Sequence, residues 1–177
     1  MVHILLIQGA GVGGSDSLVA DVSRQLGQDE SIEAPVMPLA DDPAAARWLP
    51  AVAAALAEQD GPFVAVGHSL GGSTLLQWLA ANPAPPHLRA VITAAAPFWG
   101  EGGWSMAEFA LPAGAAAGLA GIPCLMLNGD VDDTVPPDHL DLYRAQLPHV
   151  ETAIIPGMDH EWARGGFALL DAVRRYA

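Results

Sequence analysis

Gly67-His68-Ser69-Leu70-Gly71-Gly72 directly follows the apolar run 62–66 and leads into a segment with helical spacing. This context predicts a serine held at a sharp turn between a strand and a helix. In a G-x-S-x-G turn the serine backbone is strained, and the glycines two positions away on either side keep the strand and the helix from colliding. The turn pushes the Ser69 hydroxyl out over the end of the sheet, clear of its neighbours.

Short apolar runs bounded by Gly, Pro or Asp recur along the whole chain, at 2–7, 32–37, 63–66, 90–95, 123–127 and 152–155. Most of them are continuous rather than alternating, which is typical of strands covered on both faces. Segments with helical spacing separate the runs. The alternation predicts a single three-layer α/β domain over residues 1–177, with a mainly parallel sheet of about six strands.

Proline and glycine mark the expected helix boundaries. Asp42-Pro43 predicts an N-cap followed by a first-turn proline, and Pro50 in the same pattern should kink the helix or move its start. The helix after the serine turn is expected to end at Asn82-Pro83. A final helix that includes Trp162 is expected to be loosened by Gly165-Gly166.

Composition limits the possible partners. The 177 residues include 7 basic and 20 acidic side chains, which gives a formal net charge of −13. Such a surface repels phosphate backbones, so we expect no nucleic-acid partner. The single cysteine, Cys124, excludes an internal disulfide, and its apolar neighbours predict an inert core residue. The chain shows no basic signal-peptide start and no apolar stretch of membrane-spanning length, so we expect a cytoplasmic protein.

Residues 98–121 break the alternation, because they are rich in Gly and Ala yet carry several large apolar side chains. One interpretation is a surface excursion whose aromatic side chains pack against the body. The other is a short, mobile, lid-like cover over a site, since α/β sheets bind ligands at strand ends. The second interpretation predicts four substrate-binding residues: Phe98, Trp99, Trp104 and Met106.

An acid is expected near the serine. A serine hydroxyl is a poor nucleophile unless a base accepts its proton, and that base needs an acid to orient it. Three carboxylates, Asp130, Asp132 and Asp133, lie in the turn after the run 123–127, which is more than a solvated turn requires. Aspartate also satisfies backbone N–H groups in turns, so some of these side chains are expected to shape the turn.

His160 is the predicted base. It follows the last expected strand through residues 156–159, at the same sheet edge as Ser69. His3 lies near the start of the first strand, at the wrong end of the sheet. The side chain of His68 must diverge from that of Ser69, so packing is its expected role. The remaining histidines are expected at the surface or at a helix start: His87, His149 and His139.

Taken together, these features resemble an α/β-hydrolase over nearly the whole chain. Gly67–Gly72 matches the nucleophile elbow of that family, and residues 129–136 are similar to its acid turn, G-x-x-D-x-x-V-P, which implies Asp132 as the acid. His160 occupies the position of the family's histidine. With the rules for connections, the resemblance implies the strand order 2-1-3-4-5-6, helices on both faces, and neither the family's first two antiparallel strands nor a large cap domain.

Two backbone N–H groups are expected to form an oxyanion hole, aimed at the carbonyl oxygen that becomes negative. One is the N–H of Leu70, at the start of the helix after the serine. By resemblance, the other comes from the loop after the first strand, where Ala10 is the first candidate and Gly11 the second. The family commonly has His-Gly where this chain has Gln8-Gly9, but a backbone donor does not depend on that side chain.

The sequence therefore predicts a carboxylesterase-type serine hydrolase that acts through an acyl-enzyme on a small-molecule ester or related acyl substrate, with no cofactor and no metal. A catalytically silent, hydrolase-like binding protein is one alternative. Another is a dinucleotide-binding module, because Gly9–Gly14 also matches G-x-G-x-x-G between a strand and a helix. The second strand is expected to end at 36–38 without an acid for a ribose hydroxyl, which counts against that alternative.

Overall fold

Parallel strands form the central sheet in the computed structural model, which describes residues 2–177. Within that range the strands are β1 (Val2–Ile7), β2 (Glu30–Glu33), β3 (Phe63–His68), β4 (Leu88–Ala94), β5 (Cys124–Gly129) and β6 (Glu151–Ile155). Their order across the sheet is β2-β1-β3-β4-β5-β6, and each neighbouring pair is parallel. The predicted fold class and strand order are confirmed. The order reverses between β1 and β3, so the loops after these two strands leave the sheet side by side.

Helices cover both faces of the sheet and complete the three layers. They are α1 (Asp16–Gln25), α2 (Ala45–Ala57), α3 (Leu70–Ala81), α4 (Ala115–Leu119), α5 (His139–Gln146) and α6 (Gly166–Arg174). Residues of α1 and α6 belong to one core cluster, and residues of α2 to α5 belong to the other. Successive side chains of a strand point to opposite faces, so Ile4 and Leu6 pack in the first cluster while Leu5 and Ile7 pack in the second.

Strand β2 lies earlier in the chain than the apolar run 32–37 predicts. It ends at Glu33, and its pairing with β1 runs from Val2 opposite Glu30 to Leu5 opposite Glu33. β2 is an edge strand with one paired side, and short, partly polar strands are common at sheet edges. The apolar run continues beyond the strand because Met37 packs into the core from the following loop.

The start of helix α2 corrects the prediction of an N-cap at Asp42-Pro43. The helix begins at Ala45, and the carboxylate of Glu108, from the 98–121 segment, accepts the Ala45 N–H at 2.9 Å. This carboxylate satisfies one of the free N–H groups of the first turn. The helix runs through Pro50, which lies in its second turn and removes a single intrahelical hydrogen bond.

An asparagine and a glycine mark the boundaries of two other helices. Helix α3 ends with Asn82 as its C-cap in an extended conformation, as the Asn82-Pro83 pair predicts. The final helix starts at Gly166, so Trp162 lies outside it. Trp162 is fully buried with a φ of +52°, in the loop between β6 and α6.

The 98–121 segment packs against the body of the domain. Phe98, Trp99 and Phe109 are buried in the same core cluster as α2 to α5. The N–H of Phe98 donates to Nδ1 of His139 at 2.8 Å, and a β-bridge joins Trp99 to Trp104. This packing is what the interpretation as a surface excursion predicts. Movement of the segment as a lid stays a prediction.

Neither a reactive thiol nor a membrane-spanning helix is found within residues 2–177. Cys124 is buried at the start of β5, and burial raises the pKa of its thiol to about 12, so the group stays protonated and unreactive. None of the helices formed by residues 2–177 combines the length and the apolar character that a transmembrane helix requires.

Candidate active site

Ser69 lies in a strained turn between β3 and α3. Its φ of +51° and ψ of −127° fall in a region that residues other than glycine rarely adopt. The turn is crowded: a Cβ on Gly67 would lie 2.4 Å from the Cα of Gly72, and a Cβ on Gly71 would lie 2.3 Å from the carbonyl oxygen of Ile7. The glycines therefore allow β1, β3 and α3 to approach closely beneath the serine.

Two hydrogen bonds connect Ser69 to His160 and His160 to Asp132. Nε2 of His160 lies 3.1 Å from Oγ of Ser69, and Nδ1 of His160 lies 3.0 Å from Oδ2 of Asp132. A carboxylate only accepts, so Nδ1–H donates to Asp132 and the Nε2 lone pair faces the Ser69 hydroxyl. This tautomer is the one that removes a proton from a serine.

Asp132 is held in the turn after β5 by backbone donors. Its side chain is fully shielded from solvent. Its Oδ1 accepts the N–H groups of Thr134 at 3.0 Å and Val135 at 2.8 Å. Burial would raise the pKa of Asp132, but the hydrogen bonds from His160 and from these N–H groups outweigh it, so the pKa lies below its ordinary value. The carboxyl group is therefore an anion at neutral pH and can stabilise a protonated imidazole.

The competing acids and bases have other partners. Asp130 accepts the N–H of Gly157 at 2.6 Å and fixes the turn after β6. Asp133 is exposed, at a distance of 3.4 Å from the Thr134 hydroxyl. His139 anchors the 98–121 segment through Phe98. Of the three carboxylates at the exit of β5, Asp132 alone bonds to His160 in the described part of the chain.

His68 has a more specific environment than the packing role that its sequence position predicts. It is buried, with Nδ1 at 2.8 Å from Oγ of Ser15 and Nε2 at 2.8 Å from the carbonyl oxygen of His160. The hydroxyl of Ser15 accepts the N–H of Gly9 at 2.8 Å. Sequence reasoning missed Ser15 and this use of His68, since the pairing depends on how the loop after β1 folds over the start of α3.

The loop between β1 and α1 lies against the serine. A Cβ on Gly9 would lie 3.1 Å from the Cβ of Ser69. The N–H of Gly9 donates to Ser15, and the N–H of Gly11 donates to the carbonyl oxygen of Ala40 at 2.8 Å. The N–H of Ala10, between them, makes no hydrogen bond to any residue from 2 to 177. The Leu70 N–H lies at the first position of α3, where helical N–H groups lack intrahelical partners.

The predicted substrate-binding residues differ in how much surface they present. Phe98 and Trp99 are buried in the core, which leaves little of either side chain for a ligand. Trp104 is partly buried and packs edge-on against Trp99, while Met106 is exposed. Sequence reasoning could not rank the four, because their burial depends on contacts with α2 to α5.

A cleft of about 530 Å³ opens beside the loop after β1. The exposed apolar side chains at its rim are Val12, Val36 and Leu39. Its walls also carry three carboxylates, those of Asp16, Asp41 and Asp42. Gly9 lines this cleft and also lies against Ser69, so the cleft borders the serine turn.

The glycine-rich loop lacks the surroundings of a dinucleotide site. Contrary to the sequence prediction, the second strand does end in an acid, Glu33, but its carboxylate accepts a hydrogen bond from Gln59 at 3.2 Å and lies 3.6 Å from Nε2 of His3. A Cβ on Gly13 would lie 2.8 Å from the carboxylate of Asp16 at the start of α1. An anion at a helix N-terminus opposes phosphate binding there. Among residues 2–177 no group of three or more His, Cys, Asp or Glu side chains is arranged to hold a metal ion.

The three-layer fold with a serine at the strand-to-helix turn defines an α/β-hydrolase, in a compact form without a large cap domain. The chain belongs to the serine hydrolase family, whose model matches residues 4–170. A comparison with curated protein sequences finds no significant match.

Solved structures share the fold at low sequence identity. Est1E from Butyrivibrio proteoclasticus is 16% identical, with a TM-score of 0.68 and coverage of 99% of this chain and 86% of that chain. A pyrethroid hydrolase from Sphingobium faniae JZ-2 is 16% identical, with a TM-score of 0.70 and coverage of 98% of both chains. The thioesterase domain from the curacin biosynthetic pathway is 13% identical, with a TM-score of 0.66 and coverage of 97% of this chain and 90% of that chain.

Proposed function

We propose that this serine hydrolase cleaves a carboxylic ester through an acyl-enzyme on Ser69. The observation that carries the proposal is the unbroken line from Ser69 Oγ to His160 Nε2, at 3.1 Å, and from His160 Nδ1 to the buried carboxylate of Asp132, at 3.0 Å. A serine, a base and an orienting acid in this arrangement are what acyl transfer requires. The same arrangement speaks against the alternative of a catalytically silent binding protein.

The reaction follows from the positions of these groups. His160 Nε2 takes the proton of Ser69 as Oγ attacks the carbonyl carbon, and the imidazolium is stabilised by Asp132. The tetrahedral intermediate collapses when the imidazolium returns that proton to the leaving alcohol. Water then enters, gives a proton to His160 and attacks the acyl-enzyme. Collapse of the second intermediate releases the carboxylic acid and restores the Ser69 hydroxyl.

The oxyanion is proposed to bind the N–H groups of Leu70 and Ala10. Leu70 follows the nucleophile at the start of α3, where the helix dipole also favours a negative charge. Engagement of the Gly9 and Gly11 N–H groups elsewhere favours Ala10 as the second donor over Gly11.

The acyl group of the substrate is proposed to occupy the cleft beside the loop after β1. His160 protonates the leaving alcohol. This histidine lies in the loop after β6, whereas the cleft lies at the opposite end of the sheet, beside β1 and β2. The alcohol is therefore expected near His160 and the acyl group near Leu39 and Val36. The cleft carboxylates and the net charge of −13 disfavour an anionic acyl group. Trp104 and Met106 remain candidates for contact with the substrate.

The named neighbours support a hydrolase in general, since they include a pyrethroid hydrolase and a thioesterase domain. A panel of p-nitrophenyl esters of graded acyl length tests the proposal. We expect the wild type to hydrolyse short and medium uncharged esters and Ser69→Ala to lack this activity. Leu39→Asp should lower kcat/KM more for the longer acyl chains than for acetate. A panel that the wild type does not hydrolyse would contradict the proposed ester activity.

A further inference from the structure

A buried chain of hydrogen bonds runs beneath the proposed catalytic residues. It starts at the N–H of Gly9, which donates to the Ser15 hydroxyl at 2.8 Å. The Ser15 oxygen lies 2.8 Å from Nδ1 of His68, and Nε2 of His68 lies 2.8 Å from the carbonyl oxygen of His160. Ser15 and His68 are each 1% exposed, so their side chains are shielded from water, while the contact with the His160 carbonyl is partly buried.

The direction of each hydrogen bond follows from the groups involved. A carbonyl oxygen only accepts, so Nε2 of His68 carries the proton that is donated to His160. Burial lowers the pKa of His68 to about 4, which leaves the ring neutral at neutral pH and Nδ1 without a proton. The Ser15 hydroxyl therefore donates to Nδ1 while its oxygen accepts the N–H of Gly9. Both ring nitrogens and the hydroxyl proton are therefore engaged in hydrogen bonds.

This chain links the three loops that carry the proposed reaction. Gly9 precedes Ala10, the proposed oxyanion donor after β1, and His68 precedes Ser69 at the end of β3. At the other end of this series of hydrogen bonds, His68 contacts the backbone carbonyl of His160, in the loop after β6. Because β6 is three places from β3 in the sheet, His160 reaches Ser69 only if its loop is held over the strand ends. The His68 contact supplies a fixed point for the backbone of that loop.

We propose that Ser15 and His68 are positioning residues, which hold the loop of the oxyanion hole and the backbone of the general base in register with Ser69. The proposal rests on the proposed serine-hydrolase mechanism. Neither side chain contacts the substrate in this scheme. Their effect passes through Gly9 and the His160 carbonyl to groups whose placement the transition state requires. Displacing such groups by about 1 Å lowers rates by up to roughly 100-fold.

Two substitutions of His68 distinguish its hydrogen bond to Ser15 from its hydrogen bond to the His160 carbonyl. The amide of glutamine places a donor near the position of Nε2, so His68→Gln can keep the bond to the His160 carbonyl. The amide of asparagine reaches only the position of Nδ1, so His68→Asn can keep the bond to Ser15 and loses the one to His160. Ser15→Ala removes the hydroxyl with the smallest change in volume and is the variant least disturbing to the fold.

The experiment measures kcat and KM on p-nitrophenyl acetate, the rate of fluorophosphonate labelling and the melting temperature for the wild type and the three variants. We expect His68→Asn to lower kcat by roughly 100-fold with KM within about threefold, and His68→Gln, which keeps the bond to His160 and loses the one to Ser15, to lower kcat by no more than Ser15→Ala does. Ser15→Ala should lower kcat and the labelling rate by roughly tenfold while the protein stays folded.

Two results would overturn the positioning role. One is wild-type kcat and labelling in folded Ser15→Ala. The other is equal loss in His68→Asn and His68→Gln that follows their melting temperatures. If neither His68 variant folds, Ser15→Ala alone decides. A wild type that neither turns over the ester nor reacts with the fluorophosphonate would instead overturn the proposed function, so the two failures are distinguishable.

Discussion

His160 Nε2 lies 3.1 Å from Ser69 Oγ, although 91 positions separate the two residues in the chain and β4 and β5 lie between their strands. In a parallel sheet the carboxyl ends of all strands lie at one edge, so a loop from β6 needs only to cross two strand ends. Contacts along the way hold this loop, including the bond from Gly157 to Asp130. The pair is the part of the site on which the proposed chemistry depends most.

Asp132→Asn should lower kcat on the order of 10⁴-fold with little change in fold. The asparagine amide can donate to His160 Nδ1, which favours the tautomer that carries its proton on Nε2 and cannot accept one from Ser69. Steady-state kinetics on a p-nitrophenyl ester measures the effect. Asp133→Asn is the matched control, because Asp133 is exposed in the same turn, and it should keep near wild-type kcat. Equal losses in both variants would contradict the assignment of the acid.

Ala10→Pro should lower kcat by roughly 10²- to 10³-fold, because proline has no N–H to donate to the oxyanion. Ala10→Ser keeps the N–H and should retain most of the activity. Circular dichroism of both variants checks that the fold is kept. Retention of full kcat in a folded Ala10→Pro variant would remove Ala10 from the oxyanion hole.

Gly71→Ala should lower the free energy of unfolding by roughly 2–3 kcal/mol or more, because the added Cβ would lie 2.3 Å from a backbone oxygen of β1 and 2.4 Å from the next. Urea denaturation measures the change. Gly61→Ala is the control, since a Cβ on Gly61 meets nothing within 4 Å, and it should leave the unfolding midpoint nearly unchanged. Similar midpoints for the two variants would show that the close approach beneath Ser69 is not as tight as described.

The stability of the protein should fall as the pH decreases from about 6.5 to about 4, in part through His68. The folded pKa of His68 is about 4, because burial disfavours the charged ring, while an unfolded histidine titrates near 6.5. In that pH window the unfolded chain binds more protons than the folded chain. The contribution of His68 to the free energy of unfolding therefore drops by roughly 3 kcal/mol.

Denaturation of the wild type and of His68→Gln at several pH values isolates this contribution. The other groups that face His68, namely His160 and Asp132, remain in both proteins and cancel in the difference. The variant should show the smaller loss of stability between pH 6.5 and pH 4. A steeper loss in the variant would mean that His68 is charged in the folded state.

Most strands could be predicted from the sequence because they depend on local patterns, and their order followed from connection rules and the family resemblance. Ser69, Asp132 and His160 lie within hydrogen-bond distance of one another as expected, while their catalytic roles stay predictions. Continuous apolar runs indicate buried strands, and the glycines at 67 and 71 are required by the backbone approach that the structure contains. The start of α2 could not be predicted, because its first N–H is satisfied by Glu108, which lies 63 positions later.

Contacts between residues far apart in the sequence also explain the other differences between the predictions and the structure. β2 ends at Glu33 because it is an edge strand with β1 as its partner, while the apolar pattern continues to Met37, which packs in the core from a loop. The burial of Phe98 and Trp99 depends on helices that follow and precede them by tens of residues. The role of His68 depends on Ser15, which is 53 positions away.

The most direct test of the central claim is to map where a fluorophosphonate probe reacts. We expect one adduct per chain, on the peptide that contains Ser69, and no adduct in Ser69→Ala. Ser73 is a useful internal comparison, because it is buried four residues further along α3 and donates to the carbonyl of Pro97 at 2.7 Å. Modification of a different residue, or ester hydrolysis that persists undiminished in folded Ser69→Ala, would contradict Ser69 as the nucleophile.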